Sequence, residues 1–205
     1  MLRVGLTGGI ACGKSTIAKM FSGLGAHVIQ SDQTAHELYR PGGPVYAEVV
    51  QRFGKAIVKP DGEIDRSRLA AVAFGENRIE ELNRIVHPAV IQHQSALILE
   101  IAAQSPDAIV IVEAALIFEA GTNGRFEKMI VVTCSPGQKV ARFAQRAGID
   151  EADARGEVER RTRAQWPDQE KIKRADYLID NSGPLEHTRA QVEKIFAELK
   201  VLAKK

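Results

Sequence analysis

The chain has 205 residues, 44% of them hydrophobic and 26% charged, and a formal net charge of +2. This composition fits a soluble globular protein with one core and room for an inserted subdomain, and so weak a charge argues against nucleic acid as an obligatory partner. No apolar run approaches the ~20 residues of a membrane span, no signal-peptide segment opens the chain, and Cys12 and Cys134 lack ligand-like spacing, so a cytoplasmic location is expected.

Residues 2–6 (LRVGL) read as a short buried strand. Gly8-Gly9-Ile10-Ala11-Cys12-Gly13-Lys14-Ser15 then fits G-x-x-x-x-G-K-[ST], the phosphate-binding P-loop, and residues 15–22 read as the start of a helix. A strand feeding a glycine-rich turn into a helix N-terminus aims several backbone N–H groups and the positive end of the helix dipole at one point. Gly8 and Gly13 permit backbone conformations a Cβ resists. Lys14 supplies a cation for the β- and γ-phosphates of a nucleoside triphosphate, and the Ser15 hydroxyl a ligand for Mg²⁺. A dinucleotide fingerprint fails on spacing, because Ile10 stands two residues after Gly8. Cys12 reads either as a thiol activated by the helix terminus or as a small residue filling a variable loop position.

Residues 27–31 read as a second strand, ended by Asp32. In an open parallel sheet ligands bind beyond the carboxyl ends of the strands, so Asp32 is expected to face the P-loop crevice as a general base, or to cap a helix starting near Gln33-Thr34. Roughly 75 residues separate this strand from the next, far more than one crossover helix requires. They contain a Pro41-Gly42-Gly43-Pro44 break, a turn at Lys59-Pro60-Asp61-Gly62, and helical patterns over 66–74, 76–86 and 88–103, the last with Pro88 at its first position. The stretch reads as a helical insertion over the carboxyl edge of the sheet. His87 joins two of its helices, where a lone histidine is first a structural residue.

Residues 109–113 form a third strand ending in Glu113, either a metal-associated acid or a plain strand-end carboxylate. Glu119 is a loop charge or a substrate contact. After a fourth strand at 129–134, residues 136–147 and 150–163 read as a polar helical hairpin, with Asp150 as N-cap and Asp153 three residues on. The hairpin carries Arg142, Arg146, Arg155, Arg160, Arg161 and Arg163. Arg142 and Arg146 share one helix face, and guanidinium groups closing over a phosphoryl group stabilise its charge. Two or three of these arginines are expected to do so, the rest to be solvated. Trp166 is expected to pack at a hinge. A fifth strand at 177–180 precedes a helix opening at Ser182-Gly183-Pro184, with Val192, Ile195, Phe196, Leu199 and Leu202 on one face. Apolar strands alternating with helices around a P-loop give an α/β fold of the P-loop NTPase type: a five-stranded parallel sheet flanked by helices, with a helical insertion and a polar helical hairpin.

The combination resembles the dephospho-CoA kinase family nearly end to end. The resemblance is carried by residues 4–10 and the P-loop, Asp32 with Ala35-His36-Glu37-Leu38, Ile64-Asp65-Arg66 with Leu69 and Phe74, and Ile85-Val86-His87-Pro88-Ala89-Val90. Further matches are residues 113–119, Gln165 with Pro167 and Lys171, and Ala175-Asp176 leading to Asn181-Ser182-Gly183. It implies ATP-dependent phosphorylation of the ribose 3′-hydroxyl of dephospho-CoA, the last step of coenzyme A synthesis, with ATP and Mg²⁺ as cofactors. It also implies a nucleotide-binding core at 1–35, 104–135 and 164–205, a CoA-binding insertion at 36–103, and a lid at 136–163. Asp32 is then the base, and Lys14 and Arg142 act on the transferred phosphoryl group. Gly8, Gly9, Ala11, Cys12, Gly13, Lys14, Ser15, Thr16, Arg142, Arg146 and Asn181 hold the nucleotide, with Asn181 near the adenine. Thr7, Asp32, His87, Leu116, Phe118 and Glu119 meet the acceptor. No membrane or obligatory protein partner is implied. Two departures stand out: Gln30-Ser31-Asp32 where the family often has Asp-Ala-Asp, and Ala115 where it favours proline. A nucleoside or nucleotide kinase would leave the long insertion unexplained, and a GTP switch would need an Asn-Lys-x-Asp segment that does not occur.

Overall fold

In a computed structural model residues 1–204 are described, and the chain divides into two compact units: Met1–Ile29 with Ile101 onward, and Gln30–Glu100. Five strands, β1 (Leu2–Gly8), β2 (His27–Gln30), β3 (Ile109–Glu113), β4 (Lys128–Thr133) and β5 (Tyr177–Asp180), form one parallel sheet in the order β2-β3-β1-β4-β5. All five strands expected from the apolar runs are present: β3 and β5 keep their expected bounds, and the ends of β1, β2 and β4 shift by one or two residues. The register pairs Leu6 with Glu113, Gly8 with Val132, and Thr133 with Asp180. The carboxyl ends of β1, β3, β4 and β5 therefore share one edge, and the strand order reverses direction around β1, where a ligand crevice is expected.

Both faces of the sheet are covered, which is why β3 and β4 are continuously apolar. Along β4 the side chains alternate: Ile130 and Val132 pack with Ile17, Phe21, Val192 and Phe196, whereas Met129 and Val131 pack with Ile117 and Phe118. The first cluster joins α1 (Lys14–Gly23) to the last helix, α9 (Leu185–Ala203), whose Val192, Ile195, Phe196 and Leu199 are buried as the periodicity predicts. On the opposite face, Gly5 lies so close to Met129 that an added Cβ would stand 2.6 Å from its sulfur.

The second unit holds α2 (Ser31–Leu38), α3 (Tyr46–Phe53), α4 (Arg66–Gly75) and most of α5 (Ile79–Gln104) around Leu38, Val49, Phe53, Ile57, Leu69, Leu82 and Val86. The turn at residues 59–62 is present: Gly62, at φ +87°, donates to the Lys59 carbonyl at 3.0 Å. Asp65 caps α4 by accepting from Ser67 and Arg68 backbone N–H groups at 3.0 and 3.1 Å.

Three expectations need correction here. The two helices expected at 76–86 and 88–103 are a single helix, with Pro88 inside it rather than at its start. Leu82 and Val86 before the proline, and Ala89 and Val90 after it, all pack on one apolar cluster, and this tie outweighs the lost backbone bond. The amino-terminal boundary also moves, because Asn77 takes φ +54° and the helix begins only at Ile79. Finally, Asp32 neither ends β2 nor caps a helix: β2 stops at Gln30, and Asp32 is the second residue of α2. A carboxylate in the first turn of a helix is favoured by the dipole, so the helix extends back over it.

The arginine-bearing hairpin is formed by α6 (Pro136–Ala147) and α7 (Glu151–Arg163). Ser135 and Gln138 form a capping box on α6, and Asp150 caps α7 by accepting from the Asp153 N–H at 2.8 Å. The hairpin is not polar throughout: Val140, Phe143, Ala144, Ala154 and Val158 bury an apolar seam together with Ile10 of the P-loop. A short helix, α8 (Asp168–Ile172), precedes β5.

Candidate active site

The P-loop turn is built by backbone that glycine favours. Gly8 has φ +153°, and a Cβ there would run into the Val132 carbonyl oxygen; Gly13 has φ +89°, and a Cβ would run into the Asn181 carboxamide. Ala11 also lies in the left-handed region at φ +54°, which its residue type does not announce. Lys14 opens α1, and its ammonium donates to the carbonyls of Gly8 and Gly9 at 3.1 and 3.0 Å, curling over its own loop. The Ser15 hydroxyl stands 3.5 Å from the Glu113 carboxylate, and Thr16 follows on the exposed side of the helix. Hydroxyl and carboxylate oxygens side by side suit a hard divalent cation. Among the described residues no cluster of three His, Cys, Asp or Glu side chains forms a protein-only metal site. A cation here would share its coordination with phosphate oxygens.

Asn181, just past β5, is buried and fully engaged. Its Nδ2 donates to the Cys12 carbonyl at 2.8 Å, its Oδ1 accepts from Thr188 at 2.9 Å, and its backbone N–H donates to Thr133 at 2.9 Å. Arg142 reaches the same place, donating to the Asn181 carbonyl at 2.9 Å, and its other terminal nitrogen is buried without a hydrogen-bond partner. Arg146 lies over the Phe143 ring at 5.4 Å, with Arg161 also 5.5 Å from that ring. Arg160 and Arg161 both bind Glu157, whose pKa falls to about 2 because Arg160 hydrogen-bonds its carboxylate. The structure thus brings Arg142 and Asn181 together with the P-loop and spends Arg160 and Arg161 on an internal pair.

Sequence reasoning missed an ion pair beside the loop, its lysine buried and its carboxylate half-buried. Lys139 of α6 donates to Asp168 at 2.5 Å, and an added Cβ at Gly9 would stand 2.9 Å from the Lys139 nitrogen. Burial alone would lower the Lys139 pKa, but the Asp168 hydrogen bond and the neighbouring Cys12 raise it. Cys12 is shifted down, chiefly because the Cys134 thiol hydrogen-bonds to it and then because Lys139 and Lys14 lie near; Cys134 is shifted up by the same contact. The activating cations at Cys12 come as much from α6 as from the helix terminus.

Thr7, at the end of β1, is buried and donates to the Ala115 carbonyl at 3.3 Å, tying the strand to the segment from Ala114 to Glu119. In that segment Leu116 is exposed, whereas Phe118 is buried and stacks on Trp166 with centroids 6.0 Å apart. Glu119 accepts from the Trp166 backbone N–H at 2.8 Å and makes an ion pair at 2.8 Å with the fully buried Lys171. Trp166 is therefore part of a built cluster, with Arg174 over its ring at 4.8 Å. Long-range pairs such as Lys139–Asp168 and Lys171–Glu119 leave no periodic trace in the sequence. Within the second unit, Asp32 on α2 is exposed, and His87 on α5 is half-buried, with its pKa lowered by burial.

A P-loop on the carboxyl edge of a five-stranded parallel sheet, with an arginine from a helical hairpin reaching it, defines a P-loop kinase. A shikimate kinase from Bacteroides thetaiotaomicron shares this fold at a TM-score of 0.51, with 15% identity over 97% of this chain and 98% of that one. The dephospho-CoA kinase family model matches residues 2–187, and the chain belongs to that family. A curated dephospho-CoA kinase from Aquifex aeolicus is 44% identical over 97% of this chain and 98% of its own length. The crystal structure of TT1252 from Thermus thermophilus superposes with a TM-score of 0.77 at 31% identity, covering 97% of each chain. Among the described residues no helix is long and apolar enough to cross a membrane.

Proposed function

We propose that this protein transfers the γ-phosphoryl group of ATP to the ribose 3′-hydroxyl of dephospho-CoA, giving coenzyme A and ADP in the cytoplasm without an obligatory protein partner. The observation that carries the reading is the P-loop held to β5 through Asn181, with Arg142 on the same residue, in a chain of this family. Backbone N–H groups of residues 8–16 and the Lys14 ammonium receive the ATP phosphates, and Lys14 exchanges its loop carbonyls for phosphate oxygens. The Ser15 hydroxyl, with Glu113 behind it, would hold Mg²⁺, which neutralises charge on the β- and γ-phosphates when bound. Arg142 and Arg146 stabilise the equatorial oxygens of the group in flight and keep water out. Asp32 accepts the proton of the 3′-hydroxyl as the new P–O bond forms. His87, Thr7 and the Leu116–Glu119 segment serve the acceptor.

The test is ADP release from ATP and Mg²⁺ with a panel of acceptors: dephospho-CoA, AMP, other nucleoside monophosphates and adenosine. Turnover with dephospho-CoA far above the rest is expected; turnover only with a nucleoside monophosphate overturns the reading. Asp32→Asn is expected to cut kcat by about 10²-fold while sparing ATP affinity.

A further inference from the structure

The buried stripe of α5 consists of Leu82, Val86, Gln94 and Ile98, so one carboxamide occupies a row of otherwise apolar positions. Gln94 is 2% exposed, and burying an amide is unfavourable unless it is hydrogen-bonded. Its Nε2 donates to the Ser31 hydroxyl at 2.8 Å. Ser31 is the first residue of α2, and Asp32 the second. Gln30, in the cap position, makes no capping bond from its own side chain, so the start of α2 is not fixed in the usual way. It is gripped from two other directions: by Gln94 at Ser31, and by the Thr34 hydroxyl donating to the Gln30 carbonyl at 3.1 Å.

We propose that Gln94 is a positioning residue for Asp32, acting through the hydroxyl of Ser31. The inference rests on the reading of Asp32 as the base that takes the acceptor proton. A carboxylate on the first turn of a short helix moves with that turn, and a displacement near 1 Å is enough to cost about 10²-fold in rate. Gln94 holds the turn from a second helix, and the acceptor geometry is set by α5 as well as α2.

The test compares Gln94→Leu, Ser31→Ala and Ser31→Thr with the parent, each also combined with Asp32→Asn, with folding monitored by circular dichroism at the assay temperature. Gln94→Leu and Ser31→Ala are each expected to lower kcat with dephospho-CoA about tenfold, with the KM for ATP unchanged. Ser31→Thr, which keeps the hydroxyl, is expected to retain turnover. In the Asp32→Asn background the Gln94 and Ser31 changes are expected to add no further loss, because the group they position is gone. Folded Gln94→Leu and Ser31→Ala proteins with parental kcat overturn the proposal, and so does an equal loss in both backgrounds. Parental turnover in Asp32→Asn alone overturns instead the role of Asp32.

Discussion

The Asn181 carboxamide donates to the Cys12 carbonyl at 2.8 Å, which makes a residue beyond the last strand part of a loop that follows the first. The bond is buried, and Thr188 holds the other end of the amide at 2.9 Å. Asn181→Ala removes both contacts. It is expected to cost about 1–3 kcal/mol of stability and to weaken ATP binding about tenfold. Urea unfolding and nucleotide titration measure the two effects, and an unchanged ATP affinity would separate Asn181 from loop geometry. Thr188→Val, which leaves the bond to Cys12 in place, is expected to be milder in both.

The Lys171–Glu119 pair is the most deeply buried ion pair described, with the lysine fully inaccessible and the glutamate 14% exposed. Removing one partner leaves an uncompensated charge, whereas removing both leaves a packing change. Lys171→Met is expected to destabilise by roughly 3–5 kcal/mol, and Lys171→Met with Glu119→Gln by clearly less. Urea midpoints of the two variants decide it; a double variant no more stable than the single one would contradict the account.

Pro88 is held inside α5 by packing on both sides, at a local expense of about 3 kcal/mol. Pro88→Ala restores a backbone donor for the Arg84 carbonyl. A gain of about 1–3 kcal/mol is expected, read as a higher thermal midpoint. A lower midpoint would mean that the proline ring itself fills space the alanine leaves open.

Burial lowers the pKa of His87 below the ordinary 6.5. Between 6.5 and that lower value the unfolded chain binds a proton that the folded chain refuses. Stability at His87 is therefore intact above 6.5, falls as the pH drops through this window, and levels off beneath it. His87→Gln is expected to flatten this part of the stability profile. Urea midpoints at pH 8, 6.5 and 5 (about one unit apart or more) test it, and parallel profiles for parent and variant would remove His87 as the cause.

The strands and the P-loop were legible because their signals are local: runs of Val, Ile and Leu long enough for one strand, and a glycine spacing that ends in Lys14-Ser15. Interruptions were misread where packing overrode a local rule. Pro88 signals a helix start by itself, and only the cluster that Leu82, Val86, Ala89 and Val90 share shows why the helix continues. Asp32 was placed two residues from its true setting because a strand end and a helix start compete over Gln30 and Ser31. Helix α3 escaped notice between two proline- and glycine-rich breaks. The pairs Lys139–Asp168 and Gln94–Ser31 join residues far apart in the chain, and charge or amide content alone cannot match such partners.

Ile10 is buried among Val140, Phe143 and Val158, so the P-loop and the arginine hairpin share a hydrophobic contact. Swinging the hairpin clear would bare that side chain to water, worth about 1.5–3 kcal/mol for an isoleucine. The hairpin is thus not a free flap. A pivot that kept Ile10 covered would avoid that exposure, with the tip of the loop as its fulcrum.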